Sequence, residues 1–557
     1  MKPFVVLFVI SWGIFTCLAG KQQQPHIVVI LADDVGWNDF GYHGSNQIPT
    51  PNIDALGYNG VILNRFYTQQ TCTPSRAALL TGNYPIRSGM QGYPMRCGEN
   101  RYIPADMATL PQKLKELGYN THLVGKWHLG AATSSVTPTG KGFDTHFGYY
   151  NGFVGYFDYV ISQDMSAYNL SDYVGFDLHD SFKPQWALQG RYATELFTEK
   201  TIDIIDKHDQ EAPLFLMLAH LAAHTGANGT ELGVPNITET NEKYDYIENP
   251  MRKRYADVMN IMDKSVGEIV KKLNEKNMLE NAVILFFSDN GAQTIGMYEN
   301  YGSNWPLRGL KFSLHEGGVR GSGVLYSPLL SKKRYINNQL IHISDWLPTF
   351  YHIAGGNISD LGKLDGVNQW TTISEDQRGS RNEILVNIDE ELNYSGLIGY
   401  KGRYKLLNGT FQGGIYDGYY GESGRDTSNP SYDLDMILES DVNKAIQSIS
   451  NQRQLTKRRI NYIREQLDIS WCRNQQIPED LVCSGFCLFD IRNDPCETRN
   501  IIDQHQKIAE RLKKRLSEFY DNLVPQTNKP VDLASDPKLF NNTWCTWLEP
   551  ELCSKAE

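Results

Sequence analysis

Several short stretches of this chain combine residue types that do chemistry on an anionic substrate. Ala32-Asp33-Asp34-Val35-Gly36 sets two carboxylates side by side, Ser288-Asp289-Asn290-Gly291 adds a carboxylate and an amide, and Gly125-Lys126-Trp127-His128 adds a cation and an imidazole. His224 follows another apolar run, Lys311 lies in a glycine-rich loop from Asn304 to Gly321, and Cys72 and Arg76 belong to Cys72-Thr73-Pro74-Ser75-Arg76-Ala77-Ala78-Leu79-Leu80-Thr81-Gly82. Adjacent aspartates repel unless something positive lies between them. Asp33, Asp34, Asp289 and Asn290 offer only oxygen ligands, which suits a hard divalent ion and argues against zinc or copper. Arg76, Lys126, His128, His224 and Lys311 would supply an electropositive shell around it. Taken singly, each residue has a plainer reading: solvated cations, core histidines, turn aspartates, and a buried thiol or half-cystine at Cys72. Their joint occurrence points to a site.

The elements that must hold these residues follow from the apolar pattern. His26 to Leu31, Thr121 to Val124, Leu214 to Leu218 and Val283 to Phe287 are short runs of the kind found in a parallel sheet, and each leads into one of the polar stretches. Between them, Thr109 to Leu117 reads as a helix capped by Thr109 and stopped by Gly118, and Met251 to Lys276 as a long amphipathic helix whose methionines fill the core. Thr71 to Gly82 is expected to pass from loop to helix, placing residue 72 at a helix N-terminus where N–H groups favour an anion. Strand and helix alternate, so the expected fold is α/β, a large mainly parallel sheet flanked by helices with polar residues at the strands' carboxyl ends. The Asn304 to Gly321 loop holds too many glycines for a helix interior, and Ile341 to Thr349 reads as a strand followed by a capped helix. Beyond about residue 375 the texture changes to short strands (Glu383 to Ile388, Arg403 to Leu407), a charged helix near Asn443 to Leu467 and a cysteine-rich tail. A catalytic part over 21–375 and a smaller C-terminal α+β domain over 376–557 are therefore expected.

Residues 1–20 read as a secretory signal, with Lys2, an apolar run from Phe4 to Leu18, then Ala19 and Gly20. That run is short for a spanning helix and no second one occurs, so no membrane span is expected. Sequons at Asn169, Asn228, Asn236, Asn357, Asn393, Asn408 and Asn541 fit the secretory route. Net charge of -11 and a pI near 5.7 argue against a nucleic-acid partner and require that an anionic substrate be met by a local cluster of cations. Of nine cysteines, Cys17 leaves with the signal; apart from Cys72, those at 97, 472, 483, 487, 496, 545 and 553 remain, with their connectivity open and at least one left free.

The frame Cys72-x-Pro74-Ser75-Arg76 with Leu80-Thr81-Gly82 resembles the maturation signature of the type I sulfatases, in which the cysteine is oxidised to formylglycine. The resemblance runs from His26 to about Ile373, through Leu31 to Trp37, Gly125 to Gly130, Ser288 to Gly291, Asn304 to Gly321 and Leu340 to Pro348, and is closest to the arylsulfatase B (N-acetylgalactosamine-4-sulfatase) group. It implies an alkaline-phosphatase-like fold and one calcium ion on Asp33, Asp34, Asp289, Asn290 and oxidised residue 72. It also implies that Arg76 stabilises the aldehyde hydrate and Lys126 the sulfate, that His128 deprotonates the hydrate during release, and that His224 and Lys311 contact the ester and assist the leaving oxygen. A hydrate suits the reaction better than a thiol, because one hydroxyl attacks sulfur and the other later expels sulfate as the aldehyde returns. The formylglycine-generating enzyme is an implied maturation partner, and a lysosomal or extracellular location is implied. The implied substrate is N-acetylgalactosamine 4-sulfate in glycosaminoglycans; small sulfated phenols, steroids or glucosinolates are the alternative. A phosphatase-type hydrolase would bring a hydroxyl nucleophile and two zinc ions, and an inactive sulfated-glycan binder would have lost part of the site; neither fits these residues. Rim loops at Met90 to Arg101, Gly148 to His179 and Ala227 to Asn249 are expected to choose the substrate.

Overall fold

The computed structural model describes residues 24–227, 232–449, 453–474 and 482–553; the expected secretory signal and the Asn228 sequon lie outside them. At the centre, the strands His26–Ala32, Leu214–Ala219 and Ala282–Ser288 are buried along their whole length. A strand buried on both faces needs apolar residues at every position, which these continuous runs supply. Asn120–Lys126 and Thr145–Tyr149 extend the parallel set beyond Leu214–Ala219. Gly323–Tyr326 pairs antiparallel with Ala282–Ser288, and Val61–Leu63, Tyr335–Asn337, His179–Asp180 and Lys183–Pro184 complete a ten-stranded sheet. The α/β reading holds: Gly323–Tyr326 runs antiparallel within one half of the sheet, the edge strand Tyr335–Asn337 pairs parallel with Val61–Leu63, and the opposite edge is antiparallel.

Helices cover both faces. Pro250–Glu275, capped where Asn249 accepts from the Met251 and Arg252 amides, packs with Ala193–Lys207 and Pro51–Asn59 on one face. Cys72–Thr81, Leu110–Glu116 and Trp346–Ile353 cover the other. The second of these starts at a capping box, Thr109 with Gln112, a device that contributes about 1 kcal/mol. Among the described residues no helix is long and apolar enough to cross a membrane.

A smaller body follows, an antiparallel sheet of Ile384–Asp389, Tyr394–Gly399, Tyr404–Asn408 and Phe486–Asp490. One of its faces packs against the helix Gln506–Tyr520 through Leu512, Leu516 and Phe519. The other packs on Leu310, Phe312 and Leu314 of the glycine-rich loop. That loop includes one helical turn, Glu316–Val319, which the glycine count had argued against. The charged helix expected near Asn443 to Leu467 is two helices, Asp441–Ser448 and Lys457–Leu467. The first ends at Ile449 in extended backbone and the second restarts at Thr456, whose hydroxyl accepts from the Arg459 amide. Neither belongs to the small sheet: Ile446 and Ile460 join the core beneath Pro51–Asn59 and Pro250–Glu275. The tail also returns to the large body, the Phe176 and Trp544 backbones pairing through Phe176 N to Asn542 O and Trp544 N to Phe176 O. Disulfides join Cys472 to Cys496, Cys483 to Cys487 and Cys545 to Cys553, while Cys72 and Cys97 are buried free thiols.

Candidate active site

Register brings the polar stretches together. Ala32 lies opposite Ser288, Leu31 opposite Ala219 and Ala219 opposite Gly125, so Asp33, Asp289, His220 and Lys126 leave the sheet at one edge. Asp34 and His128 turn there with positive φ of 57° and 62°, a conformation that side chains other than glycine rarely adopt and that clusters at functional sites. A Cβ on Gly291 would sit 1.8 Å from the Gly317 carbonyl, so glycine lets the Lys311 loop close over the Asp289 turn.

The charges interlock below the surface. Lys126 donates to Asp33 at 2.6 Å, Lys311 to Asp34 at 2.7 Å, and Arg76 to Asp289 through Nε at 3.2 Å and Nη2 at 3.0 Å. Asn290 Nδ2 donates to Asp34 at 2.6 Å, and Ser75 Oγ holds the Asp289 carbonyl at 2.5 Å. Carboxylate oxygens of Asp33, Asp34 and Asp289 lie within 4.8 Å of one another, all buried. Burial and the neighbouring Asp33 push the Asp289 carboxyl above its usual range. Asp33 Oδ1 and Asn290 Oδ1 are buried without a hydrogen-bond partner, a costly state that a cation would relieve. The oxygen donors therefore fit a hard divalent ion.

Cys72 opens its helix, at the floor of a cavity of about 370 Å³ that His128, His224 and Lys311 also line. Burial pushes its thiol up despite Lys126 and Lys311, so the unmodified cysteine is a protonated, weak nucleophile. Burial, helped by the neighbouring lysines, holds His128 and His224 well below the ordinary imidazole range, so both are neutral. A carbonyl only accepts, which assigns the tautomers. His224 Nδ1 donates to Thr225 O at 2.8 Å, leaving Nε2 to accept from Lys311 at 3.3 Å. His128 Nε2 donates to Met95 O at 2.9 Å, leaving Nδ1 unpartnered as a base.

Every residue singled out from the sequence reaches this one place. What sequence reasoning missed are the supports. Asn300 Nδ2 donates to both Asp34 O and Ala223 O, tying two strand ends, and Phe153 stacks on the His224 ring at 4.7 Å. Tyr93, Tyr298 and Phe312 complete an aromatic mouth. No local motif marks an aromatic in an irregular loop, so nothing in the sequence could have found them. Of the expected rim loops the first two line the cavity, whereas Ala227 lines only its neighbour.

A carboxylate cluster paired to lysines and arginine, at the carboxyl ends of a parallel sheet and beside a helix N-terminus, defines a hydrolase for tetrahedral oxyanion esters. Residues 25–356 match the family model Sulfatase, and the chain belongs to that family: it is a type I sulfatase, a sulfuric ester hydrolase. It is 36% identical over 531 residues to arylsulfatase J of Mus musculus, covering 95% of this chain and 81% of that protein. It is 31% identical over 373 residues to the N-acetylgalactosamine-6-sulfatase of Mus musculus, covering 65% and 69%. In fold it resembles the solved structure of Ps i-CgsB in complex with k-i-k-neocarrahexaose, with a TM-score of 0.68 at 24% identity over 93% of this chain and 97% of that one.

Proposed function

We propose that the chain hydrolyses sulfate esters through a formylglycine made from Cys72 by the formylglycine-generating enzyme. Its substrate would be N-acetylgalactosamine 4-sulfate of glycosaminoglycans, in the manner of arylsulfatase B, with small sulfated molecules such as phenols, steroids or glucosinolates as the second reading. The observation that carries the chemistry is the pair of orphaned oxygens, Asp33 Oδ1 and Asn290 Oδ1, within the carboxylate cluster paired to Lys126, Arg76 and Lys311, the last of which lines the same cavity as Cys72. One calcium ion on Asp33, Asp34, Asp289, Asn290 and oxidised residue 72 would supply positive charge against the attacking and sulfate oxygens. Arg76 steadies the hydrate, and Lys126 and Lys311 offset charge on the sulfate, each such donor worth on the order of a hundredfold. Because His224 Nε2 accepts from Lys311, the proton for the leaving oxygen comes from Lys311, directly or by way of that imidazole. His128 Nδ1 takes the proton of the remaining hydroxyl as sulfate departs.

The aromatic mouth supports a ring substrate. Tyr93 and Phe312 lie 5.6 Å apart, and Phe153 and Tyr298 lie 5.0 Å apart, apolar faces suited to a phenyl or hexosamine ring. Described sequons Asn169, Asn236, Asn357, Asn393 and Asn541 are exposed, which supports a glycoprotein of the secretory pathway, lysosomal or extracellular. The catalytic part expected over 21–375 would be completed from beyond it, because Asp441–Ser448, Lys457–Leu467 and the strand-like tail at Trp544 pack back on the large body. Peptide mass spectrometry across Thr71 to Arg76 of protein secreted from eukaryotic cells, with release of inorganic sulfate from an aryl sulfate, tests the reading. Formylglycine with sulfate release is expected; an unmodified Cys72 with no sulfate released in a competent host overturns it.

A further inference from the structure

Residues 150–156 touch both histidines of the site. The Tyr150 carbonyl accepts from the His128 amide at 2.9 Å. Gly152 then passes against the His128 ring: a Cβ there would sit 2.9 Å from Cε1 and 3.0 Å from Nε2, and Nε2 is already committed to Met95 O. Phe153 stacks on the His224 ring, the centroids 4.7 Å apart and the planes 22° from parallel. Tyr156 Oη donates to the His224 carbonyl at 2.8 Å.

One buried carboxylate holds the start of this segment. Asp177 accepts from the Tyr150 amide at 3.0 Å, the Asn151 amide at 2.9 Å and Asn151 Nδ2 at 2.8 Å, and its own amide donates to Tyr159 O at 2.8 Å. His179 Nε2 lies 3.2 Å from the same carboxylate, and its ring stacks on Tyr150 at 4.6 Å. An ionised carboxylate offers only acceptor sites, so three converging donors fix the turn; an amide in its place would present a donor to donors. Asp177 is fully buried and lies outside the lining of the cavity over Cys72, so it reaches the chemistry only through the turn it holds.

We propose that Asp177 is a positioning residue that sets His128 and His224 together through residues 150–153, with Gly152 acting on His128 and Phe153 on His224. The two rings serve different steps, His224 with Lys311 the departure of the alcohol, and His128 the departure of sulfate. A displacement of about 1 Å originating away from the reacting atoms can cost about a hundredfold, and here one turn controls both rings.

This rests on the roles proposed for the two histidines, and the test separates the two claims. Kinetics are measured on 4-nitrophenyl sulfate and on phenyl sulfate, whose phenolate is the poorer leaving group and depends more on its proton. Rates are normalised to formylglycine content. Phe153→Leu is expected to lower kcat/KM about threefold on the nitrophenyl ester and about thirtyfold on the phenyl ester, and Phe153→Tyr, which keeps the ring, to restore both. Gly152→Ala is expected to lower kcat about tenfold with kcat/KM within about twofold, and to show a stoichiometric burst of nitrophenol as sulfate release becomes limiting. Asp177→Asn should show both effects; if it fails to fold, the other two variants, which keep the buried carboxylate, decide the matter. An equal loss on the two esters in Phe153→Leu, no rescue by Phe153→Tyr, or normal turnover by folded Asp177→Asn overturns the positioning role. His224→Ala is the reference: if it loses no more on the phenyl ester than on the nitrophenyl ester, the role of His224 falls, and positioning through it falls as well.

Discussion

Cys72 is chemically inert as a thiol and central by position. Cys72→Ala removes the group that the proposed maturation would convert and leaves its packing nearly intact, so turnover should vanish while the thermal unfolding midpoint moves by only about 2 °C. Sulfate release by that variant, measured by ion chromatography, would contradict the assignment. The proposed metal ligands make a second prediction. Chelation should abolish activity and lower the unfolding midpoint, and added calcium should restore both, since a ligand at a hundred times its Kd stabilises by about 3 kcal/mol. In Asn290→Ala an orphaned oxygen is lost, so the calcium needed for half-restoration should rise at least tenfold. The convergence of these positions was legible because each residue sits beside an apolar run or within a contiguous frame. The order of proton donors was not, because it depends on Thr225 O holding one ring nitrogen of His224.

Packing of whole helices brings an acid into the core. Asp263 of Pro250–Glu275 accepts from the Asn52 and Ile53 amides, so it holds the first turn of Pro51–Asn59. Burial pushes its carboxyl up to about 7, and that of neighbouring Asp54 up to about 6. For a carboxyl raised on folding, the native state binds more protons between the unfolded and folded values. Its contribution is full below about pH 4 and is lost as pH rises toward 7. Asp263→Asn should flatten the fall in stability between pH 4 and 7 by about 2 to 4 kcal/mol, read from urea midpoints across that range. An unchanged slope would show that Asp263 ionises freely in the fold. Pro250–Glu275 had clear periodicity, but the ends of shorter helices did not: the break between Ser448 and Thr456 is set by a hydroxyl cap and by docking of Ile446 and Ile460.

At the scale of the molecule, the small sheet builds part of the site. Lys405 is fully buried between Glu316 at 3.0 Å and Glu497 at 3.1 Å, and Glu497 also accepts from the Glu316 amide at 2.7 Å. Gly309 N donates to Gly418 O at 2.7 Å and Leu310 N to Tyr416 O at 3.2 Å. The glycine-rich loop has almost no structure of its own, so these contacts hold Lys311 in place. Lys405→Met removes the cation shared by two buried carboxylates, leaving Glu316 only Arg320 at 3.5 Å, and should cost about 3 kcal/mol of stability. The gentler Glu497→Gln should fold and still lower kcat about tenfold per folded molecule, with KM little changed. Full kcat in Glu497→Gln, normalised by active-site titration, would make the contact purely structural.

Local order in this chain determined the parallel core, the Cys72 frame, the helix that follows it and the identity of the charged residues. Continuous β-branched runs, caps and contiguous motifs act over a few residues, where chain connectivity already supplies proximity. Tertiary structure alone decided which groups face one another: the unpaired Asp33 and Asn290 oxygens, the Lys311–His224 contact, the Phe153 stack and the clamp of Lys405 on Glu316. Such pairings join residues far apart in sequence, and only sheet register and close packing bring them within hydrogen-bonding distance.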